Sequence, residues 1–204
     1  MAGLLSNLRN TLIVAFILAL ILIVGYEIHY GSTDATFWQA VFRFLHVTFG
    51  ILWIGLLYYF NFVQIRKMPE IPAELKPAVS KYIAPEALFW FRYAALFTVL
   101  AGLGLLILRG YIWKVHSLGF GGGTEPGAHA QYALLGVGVW LAIIMFLNVW
   151  GIIWPNQKIA LGIVAAEADA KAKATRLAML FSRTNVLLSI PMLVAMTMQQ
   201  TLIG

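Results

Sequence analysis

Five long apolar runs alternate with short polar connections along the chain. They cover roughly residues 11–30, 37–61, 84–108, 131–154 and 177–200. Crossing a bilayer core takes about 20 apolar residues in helical form, so each run predicts one membrane-spanning helix. The first run follows Arg9 as a secretory signal would, yet "GYEIHYGST" after it offers no small-x-small cleavage site, and it reads as a retained anchor. The expectation is an all-α integral membrane protein: four spans forming a bundle, an added N-terminal anchor helix, a single transmembrane domain and no internal repeat.

The connections carry their own signals. "RKMPEIPAELKPAVSKYIAPE" is charged and Pro-rich and reads as a surface connection, with Pro85 and Glu86 opening the third helix. "SLGFGGGTEPGAH" reads as a flexible loop, since no Gly-Lys-Ser/Thr follows to make a phosphate cradle. "AAEADAKAKATR" is rich in helix formers and extends the fifth helix into the cytoplasm. Trp38, Trp113 and Trp154 stand near span ends, where an aromatic belt would sit.

Polar residues inside the spans are patterned. At 100° per residue, Arg43, His46, Gly50, Trp53, Leu57, Asn61 and Gln64 of the second span fall within about 80° of one another. Lipid cannot satisfy such groups, so this face turns into the bundle. His46 lies about nine residues into its span, roughly 13 Å deep by helical rise. Two readings of it stand: an imidazole bonded to a neighbouring helix, or a haem ligand beside the small Gly50. The other histidines, His29, His116 and His129, fall near span ends or in a loop and offer no matching second ligand. A single axial histidine, or a ligand from another subunit, would complete the site.

A second polar layer holds Arg92, Asn148, Arg183 and Asn185 at a similar level on the opposite half. The arginines have no buried acid beside them. They either snorkel to lipid phosphate or meet a carboxylate, a haem propionate or a partner's acid. The fifth span presents Ser182, Asn185, Ser189, Met192 and Met196 on one face, a pattern of helix packing in which either methionine could also ligate haem iron or copper.

Composition narrows the class. Charged residues make up 11% of the chain against about 25% in soluble domains, and hydrophobic residues 61%. The net charge of +6 would hint at nucleic acid in a soluble protein. Here it orients the chain instead, and no nucleic-acid partner is expected. Arg9, Arg66, Lys67, Lys76, Lys81, Lys158, Lys171, Lys173 and Arg176 fall on one side and Arg109 and Lys114 on the other, which puts the N-terminus in the cytoplasm and the C-terminus outside. With no cysteine, disulfides, thiolate metal sites and covalent c-type haem are excluded for these residues. No nucleophilic triad, paired-carboxylate site or metalloprotease signature is present.

Four stretches together, "RFLHVTFGILWIG", "FWFRYAALFTVLAGLGLL", "NVWGIIWPNQK" and "SRTNVLLSIPMLVAM", resemble the membrane region of the bacterial membrane-bound urate oxidase (urate hydroxylase) N-terminal domain family. Its full-length members carry a multi-span domain followed by a c-type cytochrome. The "H-x-x-x-G-x-x-W-x-G" stretch is more distantly similar to the haem-binding helix of the membrane protoporphyrinogen oxidase family. Arg43, His46, Gly50, Trp53, Gly55, Trp90, Asn148, Pro155, Asn156, Gln157, Asn185 and Pro191 match the urate oxidase pattern, and Arg92 stands where it has a basic residue. The chain departs from it at Phe89, Gly136 and Thr184, where the pattern has histidines.

The resemblance implies a multi-pass protein of the bacterial inner membrane, with the C-terminus periplasmic. The candidate cofactor-binding set is His46, as metal ligand to haem b, with Gly50, Arg43, Arg92, Arg183, Asn148 and Asn185. Three functions follow: a redox-linked protein exchanging electrons with a c-type cytochrome; a non-catalytic membrane subunit of a larger respiratory or oxidase complex; and urate oxidation with a cytochrome supplied in trans.

Overall fold

The computed structural model describes residues 2–31, 33–118 and 128–202, without the side chains at 128–131, 199, 200 and 202. The glycine-rich stretch expected as a loop lies largely outside the described residues. Five helices are long and apolar enough to cross a membrane: α1 (Leu8–Tyr30), α2 (Ala35–Glu70), α3 (Lys76–Leu108), α4 (Tyr132–Ala160) and α5 (Ala168–Met198). No strand occurs among the described residues. The protein is an all-α membrane protein.

The chain divides into two compact units at Ala40 and Val41. The first holds α1. Asn7 Oδ1 accepts from the Asn10 amide at 3.3 Å and starts the helix. Gly31, at φ 60°, ends it with its own N–H donated to Glu27 O, a left-handed position that favours glycine. Asp34 Oδ1 then accepts from the Phe37 amide at 3.0 Å and caps the start of α2. No residue of α1 is buried, which suits a helix whose apolar side chains meet lipid.

The second unit contains α2 from Val41 onward and α3–α5. Its core joins all four helices: Trp53, Leu57 and Phe60 of α2, Leu88, Phe91 and Ala95 of α3, Met145, Val149 and Ile153 of α4, and Met192 of α5. A smaller cluster of Leu106, Val115, Tyr132 and Val139 closes the end where α3 connects to α4. There a short helix, Ile112–His116, carries His116, which the sequence places in a loop. The helix α4 lies close against α5, since a Cβ on Gly138 would sit 3.0 Å from Ala195 Cβ.

Polar pairs lock α5 in register. Asn148 Nδ2 donates to Asn185 Oδ1 at 2.8 Å, and Asn185 Nδ2 to Met145 O at 3.0 Å. Asn61 Nδ2 donates to Ser182 Oγ at 2.8 Å. The Ser189 hydroxyl donates to Val186 O, so Tyr58, 3.0 Å away, donates to Ser189. The expected face of α5 is thus a packing face: Asn185 and Ser189 are fully buried, and Ser182 and Met192 nearly so. Pro191 lies inside α5 without ending it.

Two other prolines stand in the first turn of an α-helical segment that continues a helix from before it. A proline inside a helix lacks an N–H and crowds the carbonyl four residues back. The backbone answers by widening into π-helical turns, Val79–Ile83 before Pro85 and Asn148–Ile153 before Pro155, where the Ala84 and Trp154 amides reach back five residues to Val79 O and Val149 O. The α-helical part of α3 begins at Ala84, as expected, while the continuous helix reaches back to Lys76, and α4 runs past 154 to Ala160. A third π turn, Tyr59–Gln64, lets α2 continue to Glu70. The connection expected at 66–86 shrinks to the few residues between Glu70 and Lys76. The extension expected ahead of the fifth span is helical from Ala168.

The Asn148–Asn185 pair should behave as a coupled unit. In a double-mutant cycle with Asn148→Ala and Asn185→Ala, unfolding in detergent should show a coupling energy of about 1 kcal/mol, the scale of interhelical hydrogen bonds in membranes. Additive losses would mean that the pair contributes only packing.

Candidate functional site

The polar stripe of α2 is placed as its periodicity predicts. Arg43, His46, Gly50, Asn61 and Gln64 are half-buried and Trp53 and Leu57 fully buried, while Phe44, Val47, Ile51 and Phe62 between them are exposed. Towards the α3–α4 end of the bundle this face stands off from its neighbours around a cavity of about 710 Å³. That volume is in the usual range for a small-molecule or cofactor site. Its walls are mainly apolar and come from all four helices of the unit. Val47 and Ile51 of α2 and Thr197 of α5 line it and are also exposed.

His46 brings an imidazole to this wall. Its Nδ1 lies 2.8 Å from Thr98 O on α3. A carbonyl oxygen only accepts, so Nδ1 carries the hydrogen. The neutral ring then presents its lone pair at Nε2, which has no hydrogen-bond partner among the described residues. The Thr98 hydroxyl donates in turn to Ala94 O at 2.7 Å. The ring rests on the backbone of α3 at Gly102, where a Cβ would lie 2.8 Å from Nδ1 and 2.9 Å from Cε1. Gly104 makes the same allowance for the Phe42 ring. Gly50 faces Thr98 Cγ2 across ordinary contact distance, and a Cβ on Gly55 would meet nothing within 4 Å. Gly55 also lines the cavity.

Three buried donors in the lining have no hydrogen-bond partner among the described residues: Arg43 Nε, Arg109 Nε and Trp53 Nε1. Among the described residues no carboxylate lines the cavity with them. Two cationic side chains and an indole N–H unmatched by any anion make an acceptor-seeking end to an otherwise apolar space. Met192 and Met196 bring thioether sulfurs from α5 to the same walls. Among the described residues no group of three His, Cys, Asp or Glu gathers that could hold a metal ion by itself. One imidazole and two thioethers suit haem iron or a soft ion rather than zinc, magnesium or calcium.

Of the predicted site residues, only Arg43, His46 and Gly50 line the cavity. Asn148 and Asn185 bond to each other and hold α4 to α5. Arg92 lies over the Trp154 indole, 3.4 Å from its centroid, in the other half of the bundle. Arg183 is exposed. The three departures from the urate oxidase pattern also lie off the cavity. Phe89 and Thr184 are exposed, and a Cβ at Gly136 would collide with Val115 O of the short helix. His116 Nδ1 donates to Ile112 O at 2.7 Å. The side chain of His129 lies outside the described residues.

Sequence reasoning missed Arg109, Thr98 and Gly102. Arg109 reads as an ordinary flanking charge, and Thr98 as a small packing residue. The "GLG" of "AGLGLL" carried the one usable signal, two small residues facing the level of His46 on a neighbouring span. No family model matches the chain, and neither a curated protein nor a solved structure matches it.

The contrast between two glycines tests this geometry. Gly102→Ala should displace the His46 ring and cost about 1–3 kcal/mol, the range for overpacking. Gly55→Ala should be neutral or slightly stabilising, since the added methyl meets open space. Detergent unfolding of the two variants checks the pair; equal effects would contradict the packing of His46 on Gly102.

Proposed function

We propose that this is a redox-linked membrane protein that holds haem b in the cavity and exchanges electrons with a c-type cytochrome at the bacterial inner membrane, its N-terminus cytoplasmic and its C-terminus periplasmic. The observation that carries the reading is the His46–Thr98 bond. A histidine that binds iron commonly donates its other ring N–H to a carbonyl, which sets the tautomer and orientation of the ring. His46 has that arrangement and keeps Nε2 free on a cavity wall.

The residues present fit the group. His46 Nε2 would ligate the iron. Gly50, Gly55 and Gly102 keep side chains off the walls beside it. Arg43, Arg109 and Trp53 offer N–H donors to propionates, which would satisfy their orphaned atoms. Met192 or Met196 would supply a second ligand. Haem, when bound, supplies one-electron transfer. The apolar walls from Leu103, Leu106, Val139 and Ile143 keep water away from it and so help set its potential. Arg92, Arg183, Asn148 and Asn185 have no part in this reading, because none lines the cavity. The resemblance to the urate oxidase membrane region supports the redox class but not urate turnover, since none of its three histidine positions faces the cavity here.

A second reading, a non-catalytic subunit of a respiratory or oxidase complex, draws on the polar pairs. Asn61, Asn148 and Asn185 act as interhelical glue, as that reading requires. Stoichiometric copurification of other membrane subunits, without haem in this chain, would favour it.

A reduced-minus-oxidised visible spectrum of protein purified in mild detergent from haem-sufficient cells tests the proposal. A b-type band should be present and should disappear in His46→Ala. Arg43→Gln and Arg109→Gln should each weaken haem retention about tenfold or more, the scale of a charge-assisted hydrogen bond. No band in the native protein, or a band that survives His46→Ala, overturns the assignment.

A further inference from the structure

We infer a second binding site, for the headgroup phosphate of an anionic phospholipid, around Arg92, Lys158 and Trp154 at the end of the bundle away from the cavity. The inference is independent of haem.

Arg92 is more than nine-tenths buried, yet its guanidinium makes no hydrogen bond or ion pair with any described residue, and Nη1 is both buried and unpartnered. Its contact is with the Trp154 ring, 3.4 Å from Cζ to centroid. Stacking on an indole uses the face of a guanidinium and leaves its N–H edge free, and that edge matches two oxygens of a phosphate. Lys158 Nζ lies 5.7 Å from the same ring and is not ion-paired to any described residue. Glu86, an acid on the same helix, accepts instead from Trp90 Nε1 at 2.9 Å. Two cations thus converge on one indole without an acid. A buried charge left in that state costs several kcal/mol, so the site calls for an anion.

Its surroundings favour a lipid over a free ion. Beside the Arg92–Trp154 stack, the seam between α3 and α4 carries Tyr93 against Trp150, ring centroids 5.8 Å apart, and Phe89 against Tyr93 at 4.7 Å. Phe89, Tyr93 and Leu147 are exposed, an apolar strip along which acyl chains can lie. A headgroup that brings its own ammonium would add a third cation to Arg92 and Lys158, so the fit is to a net-negative headgroup. The basic residues at the helix ends on this side, Lys76 and Lys171 among them, raise the local concentration of such lipids.

Thermal unfolding in detergent with added phosphatidylglycerol, phosphatidylcholine or inorganic phosphate tests this. Phosphatidylglycerol should raise Tm by several degrees, and the other two should not. Arg92→Gln should abolish the shift, and Lys158→Gln should weaken phosphatidylglycerol binding about fivefold, the equivalent of about 1 kcal/mol per basic residue. Arg183→Gln, which removes an exposed arginine, should leave the shift intact. Equal stabilisation by phosphatidylcholine, stabilisation by inorganic phosphate alone, or equal loss in Arg183→Gln overturns the proposal. If Arg92→Gln does not fold, unchanged phosphatidylglycerol affinity in Lys158→Gln overturns it instead.

Discussion

A polar group in the hydrocarbon region of a bilayer has no water to bond, and the arrangement of α2–α5 follows from that constraint. Several of the polar side chains within the spans find a partner on another helix. Asn61 meets Ser182, Tyr58 meets Ser189, Asn148 meets Asn185, and His46 meets the carbonyl of Thr98. The first three hold α5 against α2 and α4. The last ties α2 to α3. The groups left over then become informative. Arg43, Arg109 and Trp53 have unmatched donors in one cavity, and Arg92 has one at the other end of the bundle.

Backbone irregularities serve the same ends. Pro85 and Pro155 would break α-helices, yet each follows a π turn that restores a bonding partner to nearby amides. These turns keep α3 and α4 continuous through the level at which Arg92 meets Trp154. Absent side chains matter as much as present ones. Gly102 admits the His46 ring to the α3 backbone, and Gly136 admits the short helix Ile112–His116 to α4. A histidine at 136 would have to displace that helix, so this departure from the urate oxidase pattern is built into the packing rather than a change in one side chain.

Much of the fold and one wall of the site were legible in the sequence. The stripe from Arg43 to Gln64 could be read because periodicity encodes which residues share a helix face, and the face Ser182–Met196 on α5 for the same reason. Helix ends were less legible, since the rule that proline terminates a helix takes no account of a π turn. The remaining walls were less legible, beyond Met192 and Met196 on the inward face of α5. Arg109 and His46 are sixty-three residues apart, and nothing in their local patterns says that α3 returns to the level of His46. Likewise Asn148, Asn185, Arg92 and Arg183 share a level along the spans, but depth alone does not specify direction: the two asparagines face each other, Arg92 faces Trp154, and Arg183 faces outward.

The sequence by itself therefore determined that this is a membrane protein, how many long apolar helices it has, and which side of each helix turns inward, because hydropathy and the 3.6-residue period are local properties. Only the tertiary structure decided which inward residues meet. That choice depends on the depth and rotation of neighbouring helices, and these are set by close contacts such as Gly102 beneath His46 and Gly138 against Ala195. The same contacts separate the polar residues that become helix glue from those left facing a cavity, and so they decide where a ligand is needed.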